Sequence, residues 1–278
     1  CRPRWRMDSL AEDIAAAEAA LAHAPAEAEA RAAFLYRHWF HDAPVGEDAP
    51  PPMAWPTRAE YRAAALPSAP LEDDWSVIGP GSESRLRITH ADGREAEASL
   101  LDIVLENPLA VPVPGAMLQR RRWIERDVGG FWHLWSEPWA QDPPKRMVRL
   151  YLPIDPAAML AAAAHMVAHV APETMWAMKF LSGPHISGRR DAGLIYLAQD
   201  GLESLNPDPL LTGLAPLLTG PSPRLTRVWH GGCVADDPGD GRSFGEAVSQ
   251  ALAEIAPGPR FAARAAEALS PLLGHLKP

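Results

Sequence analysis

The chain has 278 residues, 47% of them hydrophobic and 22% charged, which is enough to bury a sizeable core and atypical of a disordered protein. Its net charge of −9 at pH 7 argues against a nucleic-acid-binding surface, and no apolar run approaches the roughly 20 residues of a membrane helix. Arginines near the start lead into a charged helical pattern, so we expect Met7 as the natural start and a cytoplasmic protein.

The first quarter of the chain is predicted to be helical, and strands follow. Ser9 with Glu12 fits a capping box, and Pro25 divides the helical pattern in two. The helical patterns cover residues 9–24, 26–40 and 57–65. Strand signals begin near Trp75, and a hairpin is expected around the turn at Gly93. The strand patterns cover residues 85–89, 94–101, 117–125 and 130–135.

The second half mixes strands and helices in irregular order. Predicted strands cover residues 147–152, 176–181, 192–198 and 225–228, and predicted helices cover 156–170, 243–255 and 261–273. This order predicts an α+β fold with a mixed, largely antiparallel sheet, helices packed on it and a helical N-terminal segment. We expect that segment over residues 1–74 and the α+β domain over 75–278, with one continuous domain as the alternative.

Positive charge concentrates in residues 143–230, which carry eight basic and six acidic side chains in an acidic protein. A phosphate-bearing ligand is the commonest anion for such a region. Only three basic residues are lysines, and Lys179 alone among them lies inside an apolar strand pattern. Its apolar neighbours in the sequence predict partial desolvation, which favours the neutral amine that acts as a base. The alternative is an edge lysine that discourages strand pairing.

Arginines accompany this lysine. Arg149 and Tyr151 lie two apart on a predicted strand and therefore share a face, as a binding pair or as a solvated sheet surface. Arg189 and Arg190 precede a strand and point to opposite faces, so one of them at most serves a given site. A second phosphate clamp is predicted from two arginines near another strand, Arg224 and Arg227.

Other motifs are weaker indications of function. His165 and His169 have a spacing that can bind zinc, but without a third ligand in the pattern we expect packed or exposed histidines and no metal. Cys233 follows a Gly-Gly pair and is expected to be core. No serine-hydrolase elbow, P-loop or dinucleotide fingerprint is present.

A series of short motifs runs from Arg149 to Gly245: Arg149-Leu150-Tyr151, Lys179, Arg189-Arg190-Asp191, Thr226-Arg227 and Ser243-Phe244-Gly245. Their order resembles that of the HopA-type effector-like family, which includes type III effectors and lyase components of class V lanthipeptide and thioamitide biosynthesis. Leu35–Phe40 is similar to the family's aromatic helix end. The resemblance covers about two thirds of the chain. One departure is Val248, where the family usually has an arginine.

The same order is similar to that of OspF-type phosphothreonine lyases. That likeness implies Lys179 as the catalytic base, Tyr151 as the acid where that family has histidine, and Arg149 and Arg189 as phosphate ligands, with Arg190, Arg224 and Arg227 as further candidates. A reference pKa near 10 keeps a tyrosine protonated and able to donate.

The resemblance therefore implies a phosphoserine/phosphothreonine lyase that eliminates phosphate from a precursor peptide and leaves dehydroalanine or dehydrobutyrine. No cofactor is implied. The implied partners are the phosphorylated precursor peptide and a separate kinase, with no nucleic acid and no membrane. The alternative is a non-catalytic effector-like protein that binds a phosphorylated ligand or a partner protein.

Overall fold

The computed structural model describes residues 7–43, 53–170, 174–185, 189–199, 201 and 207–273. Its helices are α1 (Met7–Leu21), α2 (Ala28–Phe34), α3 (Arg58–Ala65), α4 (Glu137–Gln141), α5 (Met159–His169), α6 (Pro207–Leu214), α7 (Phe244–Ala253) and α8 (Phe261–Leu273). A π-helical turn, Leu35–Phe40, continues α2. Among the described residues, no helix is long and apolar enough to cross a bilayer.

The strands are β1 (Met53–Trp55), β2 (Leu71–Pro80), β3 (Leu86–His90), β4 (Glu95–Ala98), β5 (Ile103–Leu105), β6 (Met117–Arg121), β7 (Trp123–Val128), β8 (Phe131–Ser136), β9 (Met147–Leu152), β10 (Trp176–Leu181), β11 (Gly183–His185), β12 (Gly193–Ala198), β13 (Arg227–Trp229) and β14 (Gly232–Asp236). A seven-stranded sheet has the order β13-β14-β9-β12-β10-β8-β7, a five-stranded sheet the order β4-β3-β2-β6-β5, and β1 pairs with β11. Every described pairing is antiparallel, and the predicted α+β fold with an N-terminal helix is confirmed.

Both faces of the seven-stranded sheet are covered by helices, and alternation along each strand decides which side chains meet which helices. One face, with Leu150, Met178 and Ile195, packs into the core that Tyr61 of α3 and Met166 of α5 complete. The opposite face packs under α1, α2, α7 and α8 with the side chains of Tyr151, Leu194, Cys233 and Ala235. The helical cover of this second face therefore lies over β14, β9 and part of β12.

The N-terminal helices are part of this second core. Ile14 of α1 and Leu35 of the π-helical turn share it with Val248 and Leu269, which lie more than 200 residues later in the chain. The division into residues 1–74 and 75–278 stays a prediction.

Four stretches of the structure differ from the predicted elements. The Pro- and Gly-rich section before Pro223 contains α6, and β14 begins at Gly232, although no helix or strand is predicted at either place. The expected long strand at residues 117–125 is instead two strands that belong to different sheets, β6 and β7. No strand is predicted over residues 183–188, where β11 forms, and residues 186–188 lie outside the described part.

Candidate functional site

Lys179 lies on the face of the seven-stranded sheet that the N-terminal helices cover only in part. The register places Lys179 opposite His133 of β8 and Leu194 of β12, and Leu194 lies opposite Tyr151 of β9. Tyr151 and Leu194 are buried, whereas Lys179 and His133 are half-buried. The lysine is therefore at the border between the covered and the open part of this face.

Aromatic rings surround the lysine amine. The Lys179 Nζ atom lies 4.3 Å from the ring centroid of Phe131 and 5.9 Å from that of Tyr196. These distances are in the range of cation–π contacts, which hold the amine against the sheet surface and reduce its contact with water. The amine therefore packs against aromatic rings, and its desolvation stays a prediction.

A buried ion pair lies beside the lysine. Arg189 donates from Nε and Nη2 to the two oxygens of Asp191, at 2.8 and 2.7 Å. The arginine also stacks over Phe131, the ring that contacts Lys179, with 5.4 Å from Cζ to the centroid. Burial alone would raise the pKa of Asp191, but His41, Arg189 and Lys179 together hold that pKa well below its ordinary value. The carboxylate is therefore charged and fixes the guanidinium with a bidentate bond.

His41 closes this cluster from the end of the π-helical turn. Its Nδ1 atom lies 3.7 Å from the Asp191 carboxylate, and neither ring nitrogen has a hydrogen-bond partner within the described residues. Burial lowers the pKa of His41 to about 4. The carboxylate of Asp191 favours protonation of the imidazole, whereas the nearby cations Arg189, Arg190 and Lys179 disfavour it. His41 is therefore a neutral imidazole at physiological pH.

Tyr36 projects from the same turn. Its ring packs edge-on against His41 with 4.6 Å between centroids, and its side chain is half-buried. Burial and the charge of Asp191 raise the pKa of Tyr36 to about 12, against the effects of Arg189 and of a hydrogen bond with Ser243. The phenol therefore stays protonated and can donate. π-Helical turns often occur at functional sites, and this one places Tyr36 and His41 on the same cluster.

The Ser-Phe-Gly motif supports the turn from α7. Ser243 caps this helix in a capping box with Glu246. A Cβ atom at Gly245 would lie 2.5 Å from Cε1 of Phe40, so only glycine allows α7 to approach the π-helical turn this closely. The motif thus determines where Tyr36 and His41 lie relative to the sheet.

Arg149 and Tyr151 share a face, as predicted, and the register shows that it is the face of Lys179, but both are buried. The Arg149 Nε atom donates to Asp237 at 2.7 Å, its Nη2 atom donates to the Arg242 carbonyl at 2.9 Å, and its guanidinium stacks on Tyr196. Tyr151 is 2% exposed, and burial raises its pKa. The structure therefore places Tyr151 in the core beneath the helices, where a substrate does not reach it without rearrangement.

The other three predicted arginines are not brought to Lys179. Arg190 donates to the Ser222 carbonyl and pairs with Asp42, and Arg224 pairs with Asp42 and Asp13. These contacts hold the end of the π-helical turn to the loop before β13. Arg227 lies opposite Val234, on the sheet face that packs against α3 and α5. We therefore leave these arginines out of the proposed phosphate contacts.

The weaker motifs are structural. The His165 and His169 rings stack at 4.0 Å, the first hydrogen-bonded to the Leu210 carbonyl and the second to the carbonyl of His165. Within the described ranges, no three potential metal-ligating side chains come together. Cys233 is a free, buried thiol opposite Tyr151.

The sequence analysis missed three members of the cluster as site residues: Tyr36, His41 and Asp191. In the sequence, Leu35–Phe40 and Asp191 enter only as parts of the motifs that carry the family resemblance, without a role of their own. An Arg-Arg-Asp triplet at the start of an apolar strand was the available signal, because an acid there becomes buried with one of its neighbours.

Comparison with known proteins identifies a shared fold but no family. No protein-family model and no curated protein matches the chain. An effector protein from Pseudomonas syringae pv. syringae strain 61 aligns at 14% identity with a TM-score of 0.51, over 97% of this chain and 95% of that one. An effector from P. syringae pv. tomato strain DC3000 aligns at 15% identity with a TM-score of 0.48, over 95% of each chain. The chain thus shares its fold with a bacterial effector, in agreement with the effector part of the predicted resemblance.

Proposed function

We propose that this protein is a lyase that eliminates phosphate from phosphoserine or phosphothreonine in a peptide. The observation that carries the proposal is the position of Lys179, whose amine lies on the open part of the sheet face beside the fixed Arg189 guanidinium. A base and a phosphate-binding cation so arranged are what β-elimination requires.

In the proposed reaction, Lys179 first releases its proton to solvent, and the resulting neutral amine removes the Cα proton of the phosphorylated residue. The electron pair of the Cα–H bond forms the Cα=Cβ double bond as the Cβ–O bond to phosphate breaks. Arg189 binds the phosphate oxygens through the N–H groups that Asp191 does not occupy. The products are a dehydroamino acid and hydrogen phosphate, and the lysine ammonium then returns its proton to solvent.

Tyr36 takes the role of the acid in this proposal. Its phenol is half-buried and close to Arg189, whereas Tyr151 is fully enclosed. A proton from Tyr36 to the bridging oxygen neutralises the charge that develops on the leaving group, and the resulting phenolate then regains a proton from solvent. Asp191 and His41 act as positioning residues: the first fixes Arg189, and the second fills the space behind the ion pair.

The biological setting follows from the resemblance. The order of the motifs supports a phosphorylated precursor peptide as substrate, a separate kinase that supplies it, and lanthipeptide or thioamitide biosynthesis in the cytoplasm. The proposed chemistry itself uses only side chains.

A second candidate is a non-catalytic protein that binds a phosphorylated ligand or partner. Two observations favour it: the fold is shared with an effector, and Arg149 is held by Asp237 and the Arg242 carbonyl. A site with one available arginine binds phosphate with fewer donors than a dedicated lyase site with several would provide.

Mass spectrometry of a phosphothreonine peptide incubated with the protein separates the two candidates. The lyase predicts loss of one phosphoric acid, abolished by Lys179→Ala and unchanged by Lys145→Ala, an exposed lysine in a proline-rich connection. Tyr36→Phe should slow the reaction about 10²- to 10⁴-fold, as loss of a general acid does. Phosphopeptide binding without any mass loss, including with a precursor phosphorylated by its own kinase, would leave the binding protein.

A further inference from the structure

A groove lined by arginines follows the open edge of β7, the last strand of the seven-stranded sheet. Its volume is about 330 Å³, and it lies between β7 and residues of the five-stranded sheet. The arginines that line it are Arg58, Arg62, Arg85, Arg120, Arg121 and Arg126. Three acidic residues share the lining, which leaves a positive excess in a protein of net charge −9.

Internal contacts account for only part of that positive charge. Glu125 accepts from Arg58, Arg62 and the Trp132 indole at 2.6–2.9 Å, so its carboxylate is already saturated. Arg121 and Arg126 form no ion pair with any carboxylate among the side chains that the structure describes: Arg121 donates to backbone carbonyls of β5 and its preceding loop, and Arg126 donates to the Glu125 carbonyl. These cations can therefore accept an external anion without breaking an ion pair.

Arg126, which lines the groove, lies on the sheet face that carries Lys179. In the register, Arg126 lies opposite His133, and His133 lies opposite Lys179, so the three residues form one row on one face. Two strand spacings separate Arg126 from Lys179, about 10 Å, which an extended peptide spans with about three residues. Arg126 is exposed, and its guanidinium stacks on Trp135 at 5.3 Å.

We propose that this groove binds an acidic segment of the peptide substrate, with the first carboxylate about three residues from the phosphorylated residue. The inference rests on the proposed function for the identity of its ligand. The phosphate lies at Arg189, the side chain of the reacting residue reaches Lys179, and an aspartate or glutamate on the same peptide pairs with Arg126. Arg121, the other arginine of the groove that forms no ion pair with a described carboxylate, receives an acidic residue beyond it.

The test is binding of fluorescent phosphothreonine peptides to the Lys179→Ala protein, measured by anisotropy. Two peptides carry aspartate three residues before or after the phosphothreonine, and a third carries asparagine at both positions. One acidic peptide should bind on the order of fivefold more tightly than the neutral one. Arg126→Gln should remove this preference. Arg87→Gln, at an arginine that is also exposed and pairs with Glu95 on the five-stranded sheet, should keep it.

Three results would overturn the inference: equal affinity for all peptides, a preference that survives Arg126→Gln, or tighter binding of a single-stranded oligonucleotide than of either acidic peptide. The readout is independent of catalysis. An acidic preference that depends on Arg126, without elimination by the unmodified protein, would support the groove and refute the lyase. Elimination by the unmodified protein without an acidic preference would support the lyase and refute the groove.

Discussion

Asp191→Asn is the substitution whose effect follows most directly from the site. It keeps the shape of the side chain and removes the charge that fixes Arg189 through two hydrogen bonds of 2.8 and 2.7 Å. The Asp191 side chain is 8% exposed and that of Arg189 is 16% exposed, so little water can replace the lost partner. Removing one partner of a buried ion pair typically lowers the free energy of unfolding by about 3–5 kcal/mol. We expect a loss of about 3 kcal/mol because Arg189 retains some access to solvent.

Urea denaturation at neutral pH measures this loss as a change in the free energy of unfolding. Asp240→Asn is the matched control, because it breaks a surface pair with Arg242 whose side chains are 41% and 50% exposed. We expect that control to lose much less stability than Asp191→Asn, because water screens an exposed pair and replaces its partners. The reasoning is refuted if the two variants lose the same stability, since burial would then make no difference to the pair.

Three further predictions concern stability around the site and the groove. Because the pKa of His41 is lowered to about 4, the free energy of unfolding should fall by up to about 3 kcal/mol as the pH drops from 6.5 to 4. In His41→Gln, the free energy of unfolding should depend less on pH in this range, and the same dependence as in the unmodified protein would contradict the assignment. Gly245→Ala should cost about 1–3 kcal/mol in urea denaturation through its clash with Phe40, while Gly79→Ala, with open space around it, should be near neutral; equal effects would refute the clash. Glu125→Gln should lower the stability by about 1–3 kcal/mol, because three donors lose a charged acceptor, and an unchanged thermal midpoint would contradict that role.

Local patterns predicted the elements that build the site. The strand patterns of residues 147–152 and 176–181 give β9 and β10 with the predicted bounds, and the helix predicted over residues 243–255 is α7, which Ser243 caps. The shared face of Arg149 and Tyr151 follows from the period of two, and the register confirms it.

Long-range pairing could not be predicted in the same way. The face on which an arginine lies depends on register, and a shift of one residue reverses it. Arg227 pairs with Val234 and so lies on the face away from Lys179, which its sequence neighbours do not indicate. Likewise, nothing local shows that Tyr36 and His41 meet Asp191, because that contact joins segments about 150 residues apart.

The most direct test of the central claim compares two phosphothreonine peptides, one of which carries deuterium at the Cα atom of the phosphorylated residue. If Lys179 removes that proton, both peptides lose one phosphoric acid, the deuterated one several-fold more slowly, and Lys179→Ala removes the reaction. Release of inorganic phosphate with recovery of unmodified threonine would mean hydrolysis instead of elimination. That result, or elimination that persists in Lys179→Ala, would contradict the assignment of Lys179 as the base.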